Sequence, residues 1–139
     1  MKSYDDRSAE SRELKVYIDN DYNLYKQRYE PMVDNQMKKL GKSIYNPILA
    51  EKMWKYLADE GAKKYQKEFG GSNLFSPADR REVAEMLRDD FEDRMRNEGF
   101  MRKDGKPTEK AIKHAMTRAQ KEKAKRKKKN TMPRSRHFR

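Results

Sequence analysis

Seven of the nine residues from Lys121 to Lys129 are cationic: Lys121, Lys123, Lys125, Arg126, Lys127, Lys128 and Lys129. Arg134, Arg136 and Arg139 follow close behind. Like charges at this density repel one another, so the segment is not expected to order by itself. The chemistry open to it is electrostatic. A phosphate backbone neutralises the charges and releases condensed counterions, which drives binding without any reading of bases. These ten residues are the expected nucleic-acid contacts. His137-Phe138, set between Arg136 and Arg139, adds an aromatic ring that could stack on an unpaired base.

Other residue types that could do chemistry lack the pattern it needs. Asp89, Asp90, Glu92 and Asp93 are near neighbours on one helix and point outward around it. Hard cations need oxygens that converge, so a solvated face paired with Arg88, Arg94 and Arg96 is the better reading. Pro77-Ala78-Asp79 and Asp104-Gly105-Lys106 imitate a nuclease pattern, but the first opens a helix and the second is a turn. His114 and His137 have no nucleophile or metal partner close in sequence. There is no cysteine and no phosphate-cradling glycine loop. The expectation is therefore a non-enzymatic protein with no catalytic residues, no metal site and no cofactor.

The charge balance shows where function concentrates. Residues 102–139 hold 16 Lys or Arg against 3 Asp or Glu, a net +13, whereas residues 1–101 hold 19 against 20, a net −1. A nearly neutral body carrying a basic arm is the pattern of a folded module with an electrostatic tether. The 139 residues suffice for one domain, and a hydrophobic fraction of 34% allows only a modest core. No apolar run suggests a leader peptide in Met1 to Asp21 or a membrane span anywhere. A cytoplasmic or virion location and no membrane partner are expected.

Helical spacing accounts for the elements that would position these groups. Residues 1–13 form a polar lead-in. Asp19-Asn20-Asp21 offers a helix start, followed by Tyr22, Tyr25, Tyr29, Met32, Val33, Met37 and Leu40 at steps of three and four. Pro31 interrupts that face and predicts a kink or a division into two helices. Gly41 reads as a stop. Asn46-Pro47 starts a longer helix whose face includes Trp54, Leu57, Ala58, Gly61 and Ala62, the small residues permitting close helix approach. Ser76-Pro77-Ala78-Asp79 starts another, with Val83, Leu87, Phe91 and Met95 at four-residue steps. Thr108 caps a last, weakly apolar helix that runs into the charge block. No segment alternates like a strand. The expected fold is all-α: a bundle of three to four helices over residues 14–101, with an extended basic helix and tail over 102–139. The tyrosines, with Trp54, are expected mainly at the core margin. Lys26, Arg28, Lys38, Lys39 and Lys42 around the same segment could form a second basic face.

Asp21-Tyr22-Asn23-Leu24-Tyr25-Lys26-Gln27-Arg28-Tyr29-Glu30-Pro31, then Tyr45-Asn46-Pro47, then Lys55 to Tyr65, resemble small proteins encoded by bacteriophages and mobile elements. Phe75 with Arg80-Arg81-Glu82-Val83-Ala84 continues the likeness, which spans about residues 20–95 and excludes the basic tail. The resemblance implies a genetic setting, with no established activity and no site residues to carry over. Three functions compete. The first is an accessory protein that binds the DNA or RNA backbone through its tail, its body docking on a protein partner or a second copy. The second is a minor structural virion protein, associated with capsid or connector, whose tail contacts packaged DNA or neighbouring subunits. The third is a host-directed protein-binding regulator.

Overall fold

The protein is described here by a computed structural model covering residues 7–71, 74–117 and 120. Those residues are all-helical. Helix α1 (Ala9–Asn20) starts at Ser8, whose side chain accepts a bond from the Ser11 N–H. Asp21 caps α2 (Tyr22–Leu24), its carboxylate accepting from the Leu24 N–H. A π turn (Tyr25–Tyr29) leads without a break into α3 (Glu30–Gly41). Asn46 caps α4 (Pro47–Phe69), and Ser76 with Asp79 forms a reciprocal capping box on α5 (Pro77–Asn97). Residues 109–117 are helical again, the Thr108 hydroxyl accepting from the Ala111 N–H at 3.3 Å. Among the described residues the only β contact is an isolated bridge between Met101 and Pro107, around the Asp104-Gly105 turn.

The division expected at Pro31 takes the form of a change of helix type at Glu30, with no break in the chain of turns. A proline ring collides with the carbonyl four residues back and donates no hydrogen bond. The chain accommodates this by widening the preceding turn, so that the Glu30 N–H bonds the Tyr25 carbonyl five residues back. Pro31 then sits in the first turn of α3, where its missing donor costs least.

The core lies along the seam between α4 and α5. Trp54, Leu57 and Ala58 of α4 and Val83, Leu87, Phe91 and Met95 of α5 are essentially solvent-free. Trp54 is flanked by Phe91, with ring centroids 6.2 Å apart, and by Tyr29, at 5.6 Å. Helix α1 closes one side of the seam. It can do so because residue 61 is glycine: a Cβ there would stand 2.5 Å from Ile18 Cγ1.

Polar contacts fix α1 against α5. Asp79 is shared between the two helix N-termini. Its Oδ2 accepts from the Ser76 N–H at 3.0 Å and its Oδ1 from the Ser8 hydroxyl at 2.9 Å, so one carboxylate sits where both helix dipoles favour negative charge. The fully buried Ser11 hydroxyl donates to Glu82 at 2.8 Å. Lys15, also buried, lies 2.6 Å from both Asp19 and Asp90. Buried Arg7 pairs with Glu85 and approaches Asp89 at 3.8 Å. The acidic run on α5 is thus more than a solvated face. Asp90 reaches across to Lys15 of α1 and Asp89 to Arg7 just before it, contacts that depend on the packing angle and not on sequence spacing.

Two outcomes follow. Gly61→Val is expected to cost about 2–3 kcal/mol by forcing Ile18 out of place, read as a lowered denaturation midpoint with unchanged helicity in water. Burial pushes the Asp79 carboxyl up, but the bonds from Ser76 and Ser8 outweigh it and hold the group below the usual carboxylate range. Its stabilisation is therefore complete above about pH 4, the unfolded value, and is lost as pH falls through the lower folded value. Asp79→Ala should cost about 1–2 kcal/mol at neutral pH, and a urea-midpoint series should show a flatter loss between pH 4 and pH 2 than the parent.

Candidate nucleic-acid interface

The ten cations expected to contact phosphate, Lys121, Lys123, Lys125, Arg126, Lys127, Lys128, Lys129, Arg134, Arg136 and Arg139, lie outside the described residues, as do His137 and Phe138. The root from which they extend is described. Ala111 and Ala115 are buried, and a Cβ added at Gly41 would stand 2.5 Å from the Ala111 carbonyl oxygen and 2.5 Å from Ala115 Cβ. Gly41 is thus still helical and works as a contact surface, with the left-handed turn displaced to Ser43. Phe100 meets His114 edge-on at 5.5 Å. Lys110 Nζ lies 4.7 Å from the Phe100 ring and donates to the Glu98 carbonyl at 2.7 Å, a cation at the negative end of α5.

These contacts seat the first helix of the basic segment beside the last turn of α3, which carries Lys38 and Lys39, with Lys42 next to it. Lys103, Lys106 and Lys113 are exposed on the segment itself. Positive charge therefore accumulates at one end of the body before the dense block begins.

The tyrosines separate into two sets. Tyr29 packs on Trp54, and Tyr45 packs on Phe91 with its hydroxyl donating to Glu92 at 2.8 Å. Burial and that bond push the Tyr45 hydroxyl far above its ordinary value. Tyr17 and Tyr65 meet edge-on at 5.1 Å at the margin of the bundle. These fit the expected core-margin role. Tyr22, Tyr25 and Tyr56 do not: all three are exposed. Helical spacing placed Tyr22 and Tyr25 on the buried stripe, and the π turn beginning at Tyr25 shifts the register of that stripe.

A groove of about 360 Å³ runs between the π-turn segment and the second half of α4. One wall carries Asn23, Gln27 and Arg28. The other carries Glu60, Lys63, Lys64 and Lys67, all on one face of α4. Lys64 is paired with Asp21 at 2.7 Å. Burial raises the Asp21 carboxyl, but Lys64 and the Leu24 N–H outweigh that and hold it below its ordinary range. Arg28 lies 5.9 Å from the ring of Tyr56, one turn beyond Glu60. No motif or spacing in the sequence singles out Lys63 and Lys67.

Residues weighed for metal or nuclease chemistry have structural roles. Asp79 completes the capping box of α5 and accepts from the Ser8 hydroxyl that caps α1, and Asp104 accepts from the Lys106 N–H at 3.0 Å within its own turn. Among the described residues no group of His, Asp or Glu is arranged to hold a metal ion, and no helix is long and apolar enough to cross a membrane. Compared with protein-family models, curated proteins and solved structures, the chain matches none.

The Gly41 contact yields a direct test of how the basic segment is mounted. Gly41→Val should release the helix over residues 109–117, raising its amide exchange by about tenfold or more while α4 and α5 stay protected. Equal exchange at 109–117 in parent and variant would contradict the packing.

Proposed function

We propose that this protein is a non-enzymatic nucleic-acid-binding accessory factor, a compact helical body that holds DNA or RNA through its basic C-terminal segment. The observation that carries this reading is the partition of charge: a net +13 in residues 102–139 beside a net −1 in residues 1–101. A polyanion is the partner that best relieves such concentrated self-repulsion, and phosphate neutralisation needs no base contact. The mounting of residues 109–117 on Gly41 supports it, because a seated first turn gives the following cations a fixed point of departure. We read residues 109–129 as one basic helix that extends when phosphate neutralises its charge. The resemblance of residues 20–95 to phage and mobile-element proteins favours genome handling in that setting, in the host cytoplasm or in the virion.

A second reading, a minor virion component, draws on a different observation. Ile44, ahead of α4, and Ile48 and Leu49 in its first turn are each more than half exposed, and such apolar side chains suit a protein neighbour. The body would then pack on other subunits while the tail faces packaged DNA.

Binding of the full chain and of a 1–119 truncation to duplex DNA, single-stranded DNA and RNA, across a salt series, tests the proposal. If six or more phosphates are neutralised, duplex affinity should fall by about a thousandfold between 50 and 200 mM salt, and the truncation should lose most of the binding. No binding of the full chain at low salt would overturn the reading and move the search to protein partners of the body.

A further inference from the structure

We infer that the groove between the π-turn segment and α4 is a second nucleic-acid contact, one that takes a single unpaired strand. The inference rests on the nucleic-acid reading above and adds to it a site on the body with a preference of its own.

Cations elsewhere on the body are mostly matched. Arg7, Lys15, Arg80, Arg88, Arg94 and Arg96 each face a carboxylate within salt-bridge distance. Arg28, Lys63 and Lys67 differ in being grouped: among the described residues none of them forms a salt bridge, a condition shared by scattered cations such as Lys52 and Arg81. All three line the same concave surface. In a body of net charge −1, three unmatched cations in one groove are the feature that calls for an anionic partner. Glu60 is the one carboxylate lining the groove, and nearby Asp21 is occupied by Lys64. The local balance of Arg28, Lys63, Lys64 and Lys67 against Glu60 and Asp21 is positive.

Shape and side-chain type then select among polyanions. The α4 wall runs from Glu60 to Lys67, and with Tyr56 one turn before it the stretch spans about eleven helical steps, on the order of 16 Å at the helical rise, long enough for a few nucleotides. The groove is a cleft between two helical segments, a shape that suits an extended strand. Asn23 and Gln27 carry amides, which donate to phosphate and both donate to and accept from unpaired base edges. At one end stands the exposed Tyr56 ring with Arg28 beside it, a pair offering a stacking face and a cation together. Strand-binding surfaces combine a basic track with such rings, because every base has a π face. A duplex keeps its bases stacked and has no use for the ring or the base-facing amides.

The wide turn is what opens the site. With an ordinary α-helical turn at Tyr25–Tyr29, Gln27 and Arg28 would be rotated from their present positions relative to Asn23. Turns of this kind often mark functional positions in helices.

The test uses the full chain and two oligonucleotide probes at one moderate salt concentration: an oligo-thymidylate and a duplex of equal length. Arg28→Gln, Lys63→Gln and Lys67→Gln are combined in one variant. A control combines Lys52→Gln, Lys55→Gln and Arg81→Gln, three surface cations outside both the groove and the root of the basic segment, with the same total charge. All six side chains are on the surface, and circular dichroism confirms folding of both variants. The groove variant should bind the oligo-thymidylate about tenfold more weakly than the control, with a salt slope smaller by about 2, while both variants bind the duplex alike. Tyr56→Ala alone should weaken strand binding by about fivefold or more and leave duplex binding unchanged. Equal losses in groove variant and control, or equal effects on strand and duplex, would overturn the groove while leaving the tail reading intact. Absence of binding by the parent chain to either probe would overturn both.

Discussion

The structure depends on the seam between α4 and α5. With a hydrophobic fraction of 34%, the chain has few residues to bury, and it concentrates them on facing stripes of its two longest helices. Trp54 and Phe91 are the largest fully buried side chains there. Everything else is arranged around that contact. Helix α1 lies on it through Gly61 and Ile18 and the π-turn segment through Tyr29, and the root of the basic segment lies beside these, on α3 at Gly41. Loss of the seam would leave α1 and the π-turn segment without a surface. Burial of large aromatic side chains is the largest single stabilising contribution open to so lean a sequence.

Charge is organised around the same frame. The body holds nearly equal numbers of acids and bases and uses many of them between helices, as the Asp79, Lys15 and Arg7 contacts between α1 and α5 show. Such partly buried pairs owe more to geometry than to net attraction, since desolvation offsets much of the Coulomb gain. Their consequence is a body with little charge left over. The excess in residues 102–139 is therefore not cancelled from within, and the few unmatched body cations become conspicuous.

Much of the helical framework was legible in the sequence because it is written in local rules. Asn46-Pro47, Ser76-Pro77 with Asp79, and Asp21 each cap the helix expected of them, and Gly70 and Gly99 take the positive φ of helix ends. The small residues at Gly61 and Ala62 meet another helix as their place on the apolar face suggested. What was not legible depends on tertiary geometry. Gly41 reads locally as a stop, yet its lack of a Cβ serves the contact with Ala111 and Ala115. Pro31 announces a disturbance but not that a π turn absorbs it, and that turn is why Tyr22 and Tyr25 face solvent. The groove cations belong to segments far apart in sequence, Arg28 on one and Lys63 and Lys67 on another, so no spacing rule joins them. The dense basic block is the opposite case: it is plain in the sequence and lies outside the described residues.

On the proposed reading, a helical body presents nucleic acid to a basic C-terminal segment. Hydrogen exchange of the full chain, with and without a saturating mixed single-strand and duplex probe, addresses it most directly. The account predicts new protection concentrated in residues 109–139, with a smaller footprint at residues 23–28 and 60–67, and an unchanged pattern along the α4–α5 seam. Protection confined to residues 44–49, or no change anywhere while the probe is in excess, would contradict it.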